Sequence, residues 1–116
     1  MRTRVVRSFT FEAAHQLRWH TGACRRLHGH GYRLEIAVEG PLDENGVVID
    51  FADLKAIVQR EVVERYDHTF LNDFLDNPTA EIIAADAWRH LEAAGLTMAW
   101  MRLWETPTSS VELVAG

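Results

Sequence analysis

Three histidines in one short stretch of the chain could bind a metal ion. His28 and His30 are two residues apart, the spacing that puts two side chains on one face of a β-strand. From residue 28 the even positions are mostly apolar and the odd ones polar or small, so both imidazoles continue an inward-facing row. Inward-facing imidazoles need polar partners, and one metal ion would serve both of them.

The third histidine, His15, ends a second alternating stretch that covers residues 4–15 and places Phe9 and Phe11 on its own face. If the two stretches pair as neighbouring antiparallel strands, His15 reaches the other two histidines. Three neutral imidazoles without a carboxylate suit zinc, and three protein ligands leave a fourth coordination position open, as in catalytic zinc sites. The alternative is that the three histidines are ordinary polar residues of a loop.

Cys24 is the only cysteine of the chain, so no disulfide can form within it. It lies four residues before His28 and beside Arg25 and Arg26, and positive neighbours favour the thiolate form of a cysteine. Two functional roles are open: a base or nucleophile beside the metal, or a fourth ligand that would close the site and make it structural. A lone cysteine can also be a small buried apolar residue without a chemical role.

Two more polar groups could take part in chemistry. Asp67 and His68 are adjacent in a polar connector, where an irregular backbone would let their side chains converge into a proton-transfer pair. The alternative for them is a solvated turn. Glu105 continues the inward-facing row of an apolar stretch, and a buried carboxylate needs strong donors. The donors could be the two parallel N–H groups of an amino-pyrimidinone ring, or an arginine such as Arg102.

The composition predicts one small domain that spans residues 1–116 and lies in the cytoplasm. The 116 residues are 47% hydrophobic, enough for a modest core, and include neither a leader-like segment nor an apolar stretch that could span a membrane. The net charge is −5, but residues 1–33 carry seven arginines and one acidic residue, whereas the remainder is acidic. This asymmetry favours a small anionic substrate near the histidines and argues against nucleic acid as a partner.

Hydrophobic periodicity predicts four strands and two helices in the order ββααββ. The strands are predicted at residues 3–14, 28–39, 96–105 and 109–115. Such an order indicates an α+β domain, a four-stranded antiparallel sheet with two helices on one face. The other face also carries aromatic residues such as Trp100 and Trp104, which indicates a sheet that continues across a subunit boundary in an oligomer.

Capping residues predict where the two helices begin and end. Asp50 is expected to cap the first helix, and Asn77 is expected to cap the second, with Pro78 at its first position. Gly95 is expected to end the second helix. The apolar stripe of the first helix is predicted to consist of Phe51, Leu54, Val58 and Val62.

Six motifs occur in the chain in the order and at the spacings of one known family. They are residues 11–15 (Phe-Glu-Ala-Ala-His), 24–30 (Cys-Arg-Arg-Leu-His-Gly-His), 48–51 (Val-Ile-Asp-Phe), 67–72 (Asp-His-Thr-Phe-Leu-Asn), 77–81 (Asn-Pro-Thr-Ala-Glu) and 105–106 (Glu-Thr). With these motifs the chain resembles, over nearly its whole length, the 6-pyruvoyl tetrahydropterin synthase / 6-carboxytetrahydropterin synthase family. The resemblance implies the tunnelling fold (T-fold), in which subunits join their sheets into a barrel, commonly as a homohexamer of two trimers.

The resemblance also implies a role for each candidate residue. The three histidines would bind zinc, and Cys24 would be the catalytic base. Asp67 and His68 would complete a catalytic triad from a neighbouring subunit. Glu105 would anchor the pterin ring, and further backbone contacts to the ring would come from Thr79, Ala80 and Glu81.

The spacing of Cys24 and the His-Gly-His sequence bears on the reaction that the resemblance implies. Three intervening residues, as here, resemble the carboxytetrahydropterin synthases more than the animal pyruvoyl enzymes. The expected activity is that of a zinc-dependent lyase that converts 7,8-dihydroneopterin triphosphate to 6-carboxy-5,6,7,8-tetrahydropterin, acetaldehyde and triphosphate, in queuosine or other 7-deazapurine biosynthesis. The alternatives are a pyruvoyl-type synthase, which eliminates triphosphate only, and a non-catalytic structural zinc protein with Cys24 as the fourth ligand.

Overall fold

A five-stranded mixed sheet forms the centre of the fold in this computed structural model, which describes residues 1–116. The strands are β1 (Arg4–His15), β2 (His28–Glu39), β3 (Thr69–Phe70), β4 (Met98–Thr106) and β5 (Ser109–Val114). Their order is β3-β1-β2-β4-β5, with β3 parallel to β1 and every other neighbouring pair antiparallel. Four of the strands lie within two residues of their predicted ends. The unpredicted fifth, β3, has two residues, too few to show an alternation.

β1 and β2 pair along their full length, and this register brings two of the histidine-bearing positions side by side. Ala13 lies opposite His30, and His15 lies opposite His28. Phe11, four residues before His15 on the same strand, is buried on the same face. The predicted pairing and the predicted inward face are therefore confirmed.

The first helix, α1, contains a wide turn that keeps one row of side chains facing the core. It consists of an α-helical part (Phe51–Val58), a π-helical stretch (Gln59–Val63) and a last α-helical turn (Glu64–Tyr66). Four of its buried side chains are spaced by four residues: Leu54, Val58, Val62 and Tyr66. In a regular α-helix each four-residue step turns about 40° too far, so three steps would carry Tyr66 about 120° away from Leu54. The π-helical stretch turns less per residue and keeps Tyr66 on the core side.

The start of α1 confirms one prediction and corrects another. Asp50 caps the helix as predicted, because its side chain accepts a hydrogen bond from the N–H of Ala52 at 2.7 Å. Phe51, however, is 60% exposed and does not belong to the buried stripe. It lies in the first turn, where its carbonyl oxygen accepts a hydrogen bond from Arg7 at 2.8 Å, and its side chain does not pack into the core.

The second helix, α2 (Ala80–Ala93), begins two residues later than predicted. Its N-cap is Thr79, whose hydroxyl accepts an N–H of the first turn at 3.2 Å. The prediction that Asn77 is the cap is wrong, because the Asn77 side-chain oxygen accepts the indole N–H of Trp19 at 2.7 Å instead. The helix ends as predicted just before Gly95, which has a φ of +97°.

Both helices cover the same face of the sheet, and a buried polar contact joins them. The hydroxyl of Tyr66 in α1 donates to the carboxylate of Asp86 in α2, which also lies 3.3 Å from Nε of Arg65. Burial and the Asp86 carboxylate raise the pKa of Tyr66, so its hydroxyl remains a donor. Neither helix has the length and apolar character needed to cross a membrane.

The opposite face of the sheet carries charged side chains beside apolar and aromatic ones. The guanidinium carbons of Arg33 and Arg102 lie 5.0 and 5.8 Å from the ring centre of Trp104. The indole N–H of Trp104 donates to Glu35 at 2.8 Å. The predicted aromatic residues do lie on this face, where Trp100 is opposite the exposed Val114 and neighbouring strands supply charged partners for Trp104.

Candidate metal centre and active site

The ends of β1 and β2 bring the three predicted histidines together. One ring nitrogen from each of His15, His28 and His30 lies within 4.8 Å of the other two. The Nε2 atoms of His15 and His28 are 3.0 Å apart, and His15 is 0% exposed. A group with these distances can bind a metal ion.

Hydrogen bonds assign the protonation of two of the rings. Nδ1 of His15 lies 2.8 Å from the carbonyl oxygen of Pro78, and Nδ1 of His28 lies 2.7 Å from that of Arg26. A carbonyl can only accept, so both Nδ1 atoms carry the proton and both Nε2 atoms present lone pairs. Two lone pairs that face each other at 3.0 Å repel unless a cation lies with them. Carbonyl-held Nδ1 atoms are also the usual outer partners of metal-binding histidines.

The third ring, His30, completes a donor set that fits zinc. Its Nε2 atom is buried and has no hydrogen-bond partner in the protein. Burial lowers the pKa of His30, an effect that Glu105 opposes and that His15 and His28 reinforce, so the ring stays neutral and its lone pair stays available. Three neutral imidazole nitrogens are ligands that zinc prefers.

Cys24 lies outside the histidine group. It is half-buried and free, on a short 3-10 turn (Ala23–Arg25) of the loop between β1 and β2. The backbone carbonyl of Cys24 accepts the N–H of Leu17 at 2.9 Å, which fixes the turn against the start of the loop. The group of possible metal ligands contains the histidines and not the thiol, so the structure gives the fourth-ligand role no support.

Glu105 lies beside the histidines, where the register of β4 predicts it. Its Oε1 atom is 3.6 Å from Nε2 of His15 and 3.8 Å from Nε2 of His30. The alternative partner, Arg102, pairs with Glu112 at 3.2 Å instead. The ion pair of Glu105 with Arg102 is therefore wrong, and the Glu105 carboxylate remains free to accept N–H groups of a ligand.

Tyr32 is a buried polar residue of the site, although in the sequence it is simply one more member of the inward-facing row of β2. Its ring centre is 5.6 Å from that of His30, and its hydroxyl has no hydrogen-bond partner in the protein. Burial, with a further contribution from Glu105, raises the pKa of Tyr32. A phenol two residues after a histidine on the inward face was the only signal available in the sequence.

Asp67 and His68 are in contact, as their positions in the connector predict. Oδ2 of Asp67 lies 2.9 Å from Nδ1 of His68, and Oδ1 accepts the backbone N–H of Glu12 at 2.9 Å. These two contacts, first the backbone N–H and then His68, lower the pKa of Asp67. His68 has a φ of +59°, which is strained for a residue with a side chain, and its own N–H donates to the Glu12 carbonyl at 2.6 Å.

His68 opens onto a groove of about 870 Å³. The groove is lined by outward-facing residues of β1 and β2 such as Glu12 and Gly31, together with parts of Ala13 and His30. The side chain of His68 is 77% exposed, whereas His15 and Glu105 face the helix side of the sheet. The Asp67–His68 pair therefore lies with the outward-facing residues, at a groove that also reaches His30.

The connector before α2 holds the end of β1 through contacts that sequence reasoning missed. The side-chain amide of Asn72 accepts the N–H of Gln16 at 2.8 Å and donates to its carbonyl at 2.9 Å. The carbonyl of Pro78 holds His15. A backbone carbonyl has no sequence signal, and an asparagine in a polar connector resembles any loop residue.

The predicted pterin-contacting segment lies at the start of α2. Thr79 caps the helix with its side chain, and its N–H donates to the carbonyl of Asn77 at 2.8 Å. Ala80 is buried and Glu81 is exposed. The segment directly follows Pro78, so it adjoins the histidine group.

Comparison with known proteins places the chain in a family. The family model described as 6-pyruvoyl tetrahydropterin synthase matches residues 4–115. The chain belongs to this family. Within it, the chain is 44% identical to a 6-carboxy-5,6,7,8-tetrahydropterin synthase of Synechocystis sp., over 79% of this chain and 77% of that protein. It is also 36% identical to a dihydroneopterin monophosphate aldolase of Pyrococcus furiosus, over 97% of this chain and 98% of that protein.

Solved structures of the 6-pyruvoyl tetrahydropterin synthase family share the fold. The structure of the Caenorhabditis elegans 6-pyruvoyl tetrahydropterin synthase matches with a TM-score of 0.87 at 22% identity, covering 100% of this chain and 97% of that one. The α+β T-fold with two helices on one face is thus confirmed, with five strands in place of the predicted four. The relatives are named for different pterin reactions, so the reaction of this chain depends on the residues of its own site.

Proposed function

We propose that the protein is a zinc-dependent lyase, a 6-carboxy-5,6,7,8-tetrahydropterin synthase. With one water molecule, it converts 7,8-dihydroneopterin triphosphate to 6-carboxytetrahydropterin, acetaldehyde and triphosphate. The observation that carries this proposal is the group of three imidazoles with converging Nε2 lone pairs beside a free carboxylate. The 44% identity to a relative of that name supports the choice of reaction.

His15, His28 and His30 would hold the zinc ion. Bound there, zinc would supply Lewis-acid polarisation of the hydroxyl groups on the substrate side chain. The carbonyl oxygens of Pro78 and Arg26 keep Nδ1 of His15 and His28 protonated and so direct both Nε2 atoms inward. The protein thereby fixes the ligand geometry before the metal binds.

Glu105 would orient the pterin ring next to this centre. A carboxylate accepts the two parallel N–H groups of an amino-pyrimidinone as it accepts a guanidinium. Its Oε1 atom lies 3.6 Å from the nearest histidine nitrogen, so a ring held by Glu105 places its side chain close to the histidines. Backbone groups of Thr79, Ala80 and Glu81 would add contacts to the ring.

Cys24 would remove a proton from the substrate side chain, and His68 would carry protons together with it. Asp67 holds Nδ1 of His68, which leaves Nε2 of that ring free to exchange a proton. Because His68 lies with the outward-facing residues, we assign the Asp67–His68 pair to the site of a neighbouring subunit in a homohexamer of two trimers. The exposed arginines of residues 1–33 would attract the triphosphate.

Product analysis tests the proposal. Zinc-loaded protein is incubated with 7,8-dihydroneopterin triphosphate, and the pterin product is identified by mass spectrometry while acetaldehyde is measured separately. We expect 6-carboxytetrahydropterin with one acetaldehyde per turnover, and none with a Cys24→Ala variant that retains zinc. A 6-pyruvoyl product without acetaldehyde would assign the chain to the pyruvoyl reaction. Turnover of dihydroneopterin monophosphate alone would place it with the aldolase relative, and zinc binding without any turnover would indicate a structural site.

The proposed setting is the cytoplasm, where the product would enter queuosine or another 7-deazapurine pathway. A single free cysteine is compatible with a reducing compartment. Fractionation of the source cells, with activity measured in the soluble fraction and in the membrane fraction, checks this location.

A further inference from the structure

Asn72 continues the sheet at the point where β1 runs out of strand partners. β3 pairs with β1 only at Ala13 and Ala14, so Gln16 has no strand beside it on that edge. The side-chain oxygen of Asn72 accepts the N–H of Gln16 at 2.8 Å, and its side-chain NH₂ group donates to the Gln16 carbonyl at 2.9 Å. The side chain thus replaces a strand neighbour with the same pair of hydrogen bonds.

This contact lies next to the metal centre. Gln16 directly follows His15, which supplies the β1 ligand of the histidine group. The same connector, six residues after Asn72, provides the Pro78 carbonyl that holds Nδ1 of His15. One short segment therefore holds both the ring of this ligand and the backbone that follows it.

The geometry requires such a restraint at His15 more than elsewhere. His15 is the fully buried member of the group, and its Nε2 atom points at that of His28 from 3.0 Å. Metal-free, the two lone pairs repel, so a mobile strand end would let the His15 ring turn away. A fixed peptide after His15 prevents that rotation and keeps the ligands in place.

We propose that Asn72 is a positioning residue of the metal centre, acting through the backbone of Gln16 on the ring of His15. The inference rests on the proposed metal centre and extends it to a residue that touches neither metal nor substrate. Loss of an outer partner bonded directly to a metal ligand typically weakens metal binding about 10- to 100-fold, and Asn72, which acts one residue further away, should contribute at the low end of that range.

Two substitutions separate positioning from general stability. Asn72→Leu keeps much of the side-chain volume and removes both hydrogen bonds, whereas Asn72→Asp keeps the acceptor for the Gln16 N–H and loses the donor. Asn77→Ala is the matched control, because it removes a side-chain bond from the same connector to exposed Trp19 without touching Gln16. The zinc dissociation constant is measured by competition with a chromophoric chelator, and the absorption spectrum of the cobalt-loaded protein reports the ligand geometry.

We expect zinc to bind about 10-fold more weakly to Asn72→Leu, with a smaller loss in Asn72→Asp and near wild-type affinity in Asn77→Ala. The cobalt spectrum should change in the Asn72 variants only. Wild-type zinc affinity and an unchanged cobalt spectrum in Asn72→Leu, with lower metal-free stability, would make Asn72 a purely structural residue. If Asn72→Leu does not fold, wild-type affinity in Asn72→Asp overturns the inference. A wild-type protein that binds no zinc would instead refute the metal centre itself.

Discussion

Removal of one histidine should change the stability of the metal-bound protein much more than that of the metal-free protein. In His28→Ala the three-imidazole group loses one ligand, and two imidazoles rarely hold zinc alone. In the metal-free state the same change removes a hydrogen bond to the Arg26 carbonyl, worth about 1 kcal/mol. It also removes one of the two facing lone pairs, which offsets part of that loss. We therefore expect a small effect without zinc and a large one with it.

The expected size follows from linkage. Zinc at about 100 to 1,000 times its dissociation constant stabilises the folded state by about 2.7 to 4.1 kcal/mol. A chain of 116 residues has an unfolding entropy of about 0.24 kcal/mol per degree. Zinc should thus raise the melting temperature of the wild type by about 11 to 17 °C. In His28→Ala most of this shift should vanish, while its metal-free melting temperature stays within about 4 °C of the wild type.

Scanning calorimetry with excess zinc or with a chelator, at one subunit concentration, measures both quantities. His20→Ala is the control, since His20 lies in the same loop and accepts the N–H of Gly22 but does not belong to the histidine group. A full zinc shift in His28→Ala, or an equal loss of the shift in His20→Ala, would refute the ligand assignment.

Three other substitutions test the remaining residues. Cys24→Ala should keep its zinc and its fold but lose turnover by orders of magnitude, measured by metal analysis beside product formation; loss of metal would instead make the thiol a ligand. Glu105→Gln should weaken binding of a simple pterin by a few kcal/mol at unchanged zinc stoichiometry, followed by fluorescence; equal affinities would place the ring elsewhere. Tyr32→Phe should raise the free energy of unfolding by about 1 kcal/mol, because the Tyr32 hydroxyl has no hydrogen-bond partner. Tyr66→Phe should lower the free energy of unfolding by about 1–3 kcal/mol, because Asp86 loses a donor. Urea unfolding measures both changes, and the same sign for both would contradict this assignment.

The sheet was predictable because alternation determines which way each residue faces. The long runs of β1 and β2 fixed both the register and the face of the histidines. The start of α2 was not predictable, because the choice of cap depends on Trp19, a residue 58 positions away. The indole N–H of Trp19 donates to the side-chain oxygen of Asn77, which is then not available as a cap. The π-helical stretch has only an indirect signal, the four-residue spacing from Leu54 to Tyr66, which is informative only once Tyr66 is known to be buried.

The candidate site also consists of residues that the sequence predicts and of partners that it does not. His28 and His30 are identified by their local spacing, and Glu105 by its place in a strand. The outer partners, such as the Pro78 carbonyl and the Asn72 amide, are contributed by a segment more than fifty residues away from the atoms that they hold. Their role arises only when the chain is folded, since neither residue type at that position implies a partner.

The π-helical stretch of α1 makes the length of this helix as important as its composition. Deleting one exposed residue of Gln59–Val63, such as Arg60, would place Tyr66 eleven residues after Leu54, which a regular α-helix spans in three turns with only about 20° of excess rotation. Tyr66 would therefore stay in the core, and Asp67 would still reach the backbone of Glu12. An insertion in the regular α-helical part would instead rotate everything after it by about 100° and carry Tyr66 out of the core. A single deletion should therefore be tolerated within the π-helical stretch, whereas insertions should be confined to the loops, such as the one between β1 and β2.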